Sequence, residues 1–163
     1  MTTEKNNPVG VIGSGSFGTA IAQLLSYNTD VLLYARKESV VASINNGEER
    51  HGVILPPHVR ATSTLEEVAT TCRLLFPVVP SNAFREMIRE FAPFLRPYHI
   101  IIHATKGFDL NGIDEEEIVE KGITRKQVNT ISELIQQESV VVRIGCLSVN
   151  LAAELLEVSP QLR

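Results

Sequence analysis

Short apolar runs separated by amphipathic stretches recur along most of the chain. Val9 to Ile12 is a continuous apolar run, and beyond a glycine-rich break Phe17, Ala20, Ile21, Leu24 and Leu25 return at helical spacing. That order predicts a strand, a tight turn and a helix. Asp30 then opens Val31-Leu32-Leu33-Tyr34-Ala35, an uninterrupted apolar run of the kind parallel strands show when helices cover both faces. This first strand–helix–strand unit closes at Arg36. A short helix through Val40, Val41 and Ile44 is expected to stop near Gly47, and Pro56-Pro57 marks a loop before a short strand.

The alternation continues. Leu74 to Val79 predicts a strand ending at Pro80-Ser81, with Pro77 unable to donate to a ladder. Ser81 or Asn82 is then placed to cap a helix whose face carries Phe84, Met87, Ile88 and Phe91. Tyr98 to Ala104 reads as the next strand. After a polar excursion, a helix from Arg125 to Gln137, a strand from Val140 to Leu147 and a helical segment from Leu151 to Glu157 are expected. Strands alternating with helices over residues 1–163 predict one α/β domain with a doubly wound, mostly parallel sheet of the Rossmann kind.

Composition narrows the partners. With 163 residues, 44% of them hydrophobic, the chain can bury one core of ordinary size. A formal net charge of −4 leaves no basic stripe for phosphates along DNA or RNA, so no nucleic-acid partner is expected. Cys72 and Cys146 lie far apart without metal-ligand spacing, which argues against a zinc site or a disulfide framework and for a reducing cytoplasm. The polar start and the lack of a long apolar stretch give no reason to expect a membrane partner.

Gly13, Gly15 and Gly18 stand in G-x-G-x-x-G spacing between the first strand and the first helix. In a dinucleotide-binding turn the first glycine makes the tight bend, the second admits the pyrophosphate and the third lets helix pack on sheet. The helix N-terminus offers free N–H groups and a partial positive charge to the phosphates. Without a ligand, the same spacing is a structural glycine turn. Some twenty residues on, where an acid would take the adenosine ribose, the chain has Arg36-Lys37. Arginine there can stack on adenine or pair with a 2′-phosphate, which brings NADPH into consideration beside NADH. The competing reading is a solvated basic loop, more apt for Lys37 than for Arg36.

The segments GSGSFGTA (13–20), VLLYAR (31–36), VVPSNAFR (78–85), HATKGFD (103–109) and CLSVNLAAEL (146–155) together resemble the N-terminal domain of NAD(P)-dependent glycerol-3-phosphate dehydrogenases. The resemblance runs from about Val9 to the end. It implies an NAD(P)H cofactor and reduction of dihydroxyacetone phosphate to sn-glycerol 3-phosphate, a phospholipid precursor. By position it implies that Ser16 and Phe17 line the cofactor at the turn, Arg36 its adenosine end and Ala152 a later segment. Lys106 is implied where nicotinamide and substrate meet, as catalytic, cofactor and substrate contact, with Ser148 and Asn150 on the substrate side. Lys106 also fits independently, since ligands of doubly wound sheets bind at the carboxyl ends of strands and a cation there can hold substrate oxygen or phosphate.

Two departures temper that implication. Before Asn150, where the family usually has a Gly-Pro pair, either Ser148-Val149 replaces that pair or Val149 stands where two residues were lost to one, and valine disfavours the positive φ that glycine adopts. The chain also ends at Arg163, before the family's helical domain with its acid/base lysine and phosphate-binding arginine. A truncated sheet that binds cofactor better than it catalyses is therefore expected, with an exposed edge open to homo-oligomer formation. Three weaker candidates are read as structural. His99 and His103 are expected to be core or edge histidines, Asp114 to Glu117 a solvated helix start, and Cys146 buried and inert.

Overall fold

The computed structural model describes residues 7–110, 113, 124 and 127–147. In chain order the elements are β1 (Val9–Ile12), α1 (Ser16–Ser26), β2 (Val31–Tyr34), α2 (Glu38–Asn45), β3 (Val59–Thr62), α3 (Leu65–Thr71), β4 (Leu74–Pro77), α4 (Ser81–Phe91), β5 (Ile100–His103), β6 (Phe108–Asp109), β7 (Asn129–Thr130), α5 (Ile131–Glu138) and β8 (Arg143–Cys146). Six strands form one sheet in the spatial order β3-β2-β1-β4-β5-β8. Every pairing in that sheet is parallel. This is the doubly wound Rossmann arrangement. The chain builds outward from β1 to β3, then crosses back to place β4 on the other flank of β1. Strand order reverses between β1 and β4, which opens a crevice at their carboxyl ends.

Period-two alternation divides the strand residues between two apolar layers. Val9, Val11, Val31 and Leu33 pack with Ile21 and Ala22 of α1 and Ile44 of α2. Ile12, Leu32 and Leu75 pack on the opposite face with Val68 of α3, Phe84 and Phe91 of α4, and Leu134 of α5. Both faces of the central strands are covered, as their continuous apolar sequences require.

Several boundaries differ from the sequence reading for identifiable reasons. Neither Ser81 nor Asn82 caps α4: Pro80, at φ −57° and ψ 149°, occupies the cap position, and no side chain bonds there. The fixed proline φ pre-sets the entry to the helix, making Ser81 its first residue. The strand through Leu74 ends at Pro77, and the β4–β5 ladder pairs only Leu74 and Leu75. Pro77 still accepts a bond from the Ala104 N–H at 3.1 Å, so the two strands stay together beyond the ladder. Helix α5 begins at Ile131, later than Arg125, because Thr130 and Glu133 close a capping box. The short α3, with Leu65, Val68 and Ala69 buried, is an addition to the reading.

Cys146 is exposed, contrary to expectation. It ends β8, the outer strand of the described sheet, where it lacks a neighbouring strand beyond β5. His99 and His103 are indeed buried. His99 accepts the Arg96 N–H at Nδ1 (2.8 Å) and donates from Nε2 to the Ala69 carbonyl (2.9 Å). The acidic run Asp114 to Glu117 and the segment from Leu151 to Glu157 lie outside the described residues.

Candidate functional site at the strand-order reversal

The glycine turn connects β1 to α1 at the crevice. Gly13 has φ +123°, and a β-carbon on it would lie 2.4 Å from the Val78 carbonyl oxygen. A side chain is therefore excluded by conformation and by space together. At Gly18 the missing β-carbon would lie 1.8 Å from the Gly13 carbonyl oxygen, so helix and turn touch through bare backbone. Gly15 is different. Its φ is −71°, and a β-carbon there would meet nothing within 4 Å. The protein's own packing leaves that space open directly at the helix N-terminus.

Helix α1 has no side-chain cap and no acidic residue in its first turn. Its first internal bond runs from the Thr19 N–H to the Gly15 carbonyl at 2.9 Å. The amides of Ser16, Phe17 and Gly18 thus stand ahead of the helical ladder, where they can receive an anion. An open β-carbon position beside uncapped amides is the room and the donor set a pyrophosphate needs.

A cleft of about 260 Å³ extends from this turn and is lined by Gly13, Ser14, Gly15, Tyr34, Arg36, Val78, Val79, Pro80, Ala83, Glu86, Met87 and Glu90. The turn contributes one end and Tyr34 and Arg36, at the exit of β2, contribute a wall. Helix α4 supplies Ala83, Glu86, Met87 and Glu90, which share one stripe at helical spacing. The Tyr34 phenol has its pKa raised, first by burial and then by Glu90, while Arg36 pulls it down. A second cavity of about 310 Å³, lined in part by Asn7, Cys72, Arg73 and Tyr98, lies at the amino ends of the strands. Open α/β sheets bind ligands at the opposite end.

Lys106 emerges exposed from the carboxyl end of β5 and is not among the residues lining the cleft. Its loop is anchored on both sides. The Thr105 hydroxyl donates to the Val79 carbonyl at 2.7 Å, and Gly107 takes φ +98° with its β-carbon position 3.2 Å from Ser81 Oγ. Asp109 then accepts two bonds from Arg85 of α4, from Nε at 3.0 Å and from Nη2 at 2.5 Å. Arg85 also pairs with Glu138, which Arg89 holds as well. Hydrogen bonds from Arg89 depress the Glu138 carboxyl pKa. The loop carrying Lys106 is in this way tied to α4 and α5.

Of the residues nominated from sequence, Gly13, Gly15 and Arg36 line one cleft, with Gly18 buried in the first turn of α1. Ser16 is exposed as the first residue of α1, whereas Phe17 packs against the apolar layer under that helix. Ser148, Asn150 and Ala152 lie outside the described residues. Tyr34, Glu86 and Glu90 also line the cleft and were missed. The stripe Ala83-Glu86-Met87-Glu90 was present as an i, i+3, i+4, i+7 pattern, but its mixed polarity hides it from a search for apolar faces.

Residues 8–161 match the sequence model of the NAD-dependent glycerol-3-phosphate dehydrogenase N-terminus. The chain belongs to this family. The glycerol-3-phosphate dehydrogenase (NAD(P)+) of Exiguobacterium sp. is 34% identical over 166 residues, covering 91% of this chain and 48% of the relative. Its counterpart from Alcanivorax borkumensis is 34% identical over 163 residues, covering 96% of this chain and 43% of the relative. The chain therefore spans less than half the length of these curated relatives. In fold it is similar to the solved glycerol-3-phosphate dehydrogenase of Coxiella burnetii, with a TM-score of 0.64, 21% identity, and coverage of 87% of this chain and 40% of that one. In this family member the glycine turn, the VVPSNAFR segment and the Lys106 loop all lie at the carboxyl end of the sheet.

Proposed function

We propose that residues 1–163 form the NAD(P)H-binding domain of an oxidoreductase that interconverts dihydroxyacetone phosphate and sn-glycerol 3-phosphate, supplying glycerophospholipid precursor in the cytoplasm. The observation that carries this reading is the open space at Gly15 beside the uncapped start of α1, at one end of a cleft long enough to continue to Arg36. The amides of Ser16, Phe17 and Gly18 take the pyrophosphate, and Arg36 with the α4 stripe takes the adenosine end. The bound cofactor supplies hydride to the substrate carbonyl. Lys106 holds substrate oxygen or phosphate electrostatically as charge develops, and Ser148 and Asn150 contact the same substrate. Ala152, outside the described residues, is assigned to the cofactor by the family resemblance alone.

Protonation of the nascent alkoxide requires a positioned acid, and no described residue beside Lys106 is proposed for it. The chain by itself is accordingly proposed to bind cofactor without appreciable turnover. Titration of the purified chain with NADH and NADPH, followed by addition of dihydroxyacetone phosphate, tests this. Saturable binding with no loss of reduced-cofactor absorbance is expected. Lys106-dependent oxidation would overturn the binding-only assignment, and absence of binding by either dinucleotide would overturn the whole reading.

A further inference from the structure

Arg50 lies well outside the glycine motif, in the loop after α2, yet its side chain reaches the turn. Nε and Nη2 each donate to the Ser14 carbonyl oxygen at 3.1 Å. Two donors of one planar guanidinium on one acceptor fix that oxygen in direction as well as position. Ser14 itself lines the cleft.

The consequence follows from peptide geometry. The Ser14 carbonyl and the Gly15 N–H belong to the same planar unit, and the described chain contains no cis peptide bond. In a trans unit C=O and N–H point in opposite directions. Clamping the oxygen on Arg50 therefore fixes the Gly15 N–H to point away from Arg50. Gly15, with its β-carbon space open, brings no side chain of its own to hold this peptide.

Arg50 is delivered by a tight reversal. The Arg50 N–H donates to the Val53 carbonyl at 2.7 Å, and the Val53 N–H returns a bond to the Arg50 carbonyl at 3.0 Å. The two intervening residues, His51 at φ +52° and Gly52 at φ +79°, both take left-handed conformations. Glycine adopts this readily, but a histidine there is uncommon. The turn has the two-residue form with positive φ at both central positions, which holds its ends in fixed register.

We infer that Arg50 is a positioning residue for pyrophosphate recognition: it pins the Ser14–Gly15 peptide so that the Gly15 amide is presented to the anion, and its charge polarises that amide. The inference rests on the dinucleotide reading of the glycine turn. It adds a cationic contribution from a second loop to the pyrophosphate end of the cleft, which is otherwise made of backbone amides.

The test uses Arg50→Met and Arg50→Lys in the full chain, with NADH, ADP and adenosine as probes. Arg50→Met weakens NADH and ADP by about tenfold or more, on the scale of one hydrogen bond involving a charged group. Adenosine, which carries no phosphate, binds as before. Arg50→Lys retains the charge but cannot present the planar fork, so its loss is intermediate. The Gly15 amide resonance in an 15N-labelled chain shifts in Arg50→Met before any ligand is added. Equal losses for adenosine and ADP would show general loosening and overturn the inference, as would an unmoved Gly15 resonance. Failure of the unaltered chain to bind NADH overturns the dinucleotide reading instead, and the Gly15 resonance still decides whether Arg50 pins the peptide.

Discussion

Gly18 and Gly13 meet without room for a single added carbon: a β-carbon on Gly18 would sit 1.8 Å from the Gly13 carbonyl oxygen. The obstruction is backbone, so no rotamer change relieves it. Gly18→Ala must push α1 off the turn, with an expected loss of about 3 kcal/mol or more in urea denaturation.

Gly15→Ala separates stability from binding. A methyl group fits the open space at a φ that alanine accepts. The small loss of capping preference and the gain from a stiffer unfolded chain offset each other, leaving stability within about 1 kcal/mol. The methyl instead occupies the ligand's approach. NADH affinity is expected to fall by about tenfold or more, which corresponds to ~1.4 kcal/mol.

The adenosine end sets cofactor preference. Arg36 shares the cleft with Glu86 and Glu90, so a cation that favours a 2′-phosphate faces two carboxylates that oppose it. Arg36→Asp should shift the NADPH-to-NADH affinity ratio about tenfold or more toward NADH, and Glu86→Gln with Glu90→Gln should shift it the other way. Competitive titration with the two dinucleotides reads both. Neutralising Glu90 should also lower the Tyr34 pKa, observable by ultraviolet titration.

Arg85 is the anchor of the Lys106 loop. Its partner Asp109 keeps only 6% of its side chain exposed, so Arg85→Met removes both guanidinium bonds from a poorly hydrated carboxylate that still accepts from the Asn129 amide at 3.1 Å. Breaking such a pair from one side costs about 3 kcal/mol or more, and adding Asp109→Asn should return part of it. Denaturation of the two single variants and the double variant measures the coupling.

His103 makes the fold acid-sensitive. Burial lowers its pKa below the ordinary value of 6.5, so the unfolded chain takes up the proton first as pH falls. Its contribution to stability is full above about pH 6.5 and declines below it, by up to about 1.4 kcal/mol per pH unit. His103→Gln does not titrate and should lessen the loss of stability between pH 7.5 and 5.5. The Nε2–Ser132 Oγ contact of 2.9 Å gives the replacement amide a partner.

The fold was legible wherever an element obeyed one simple period. Val9–Ile12 and Val31–Tyr34 are continuous apolar strands, and Phe84, Met87, Ile88 and Phe91 face the core of α4 as their spacing predicts. The α3 segment escaped because it is a single short helix with three buried residues and two terminal threonines. Cys146 was misplaced because an apolar pattern does not reveal which strand lies at the sheet's margin. At the site, Gly13, Gly15 and Arg36 were local in sequence and recognisable. Arg50 was not, because it acts across 36 residues on a carbonyl, and nothing in its own neighbourhood encodes that contact.

The most direct test of the account is calorimetric titration of the chain with NADH, run beside Gly15→Ala after both have been verified as equally folded by urea denaturation. One saturable site in the unaltered chain, weakened about tenfold or more by the added methyl, is the predicted result. No binding in the unaltered chain, or equal binding in both, would contradict the claim that the open space at Gly15 holds a dinucleotide pyrophosphate.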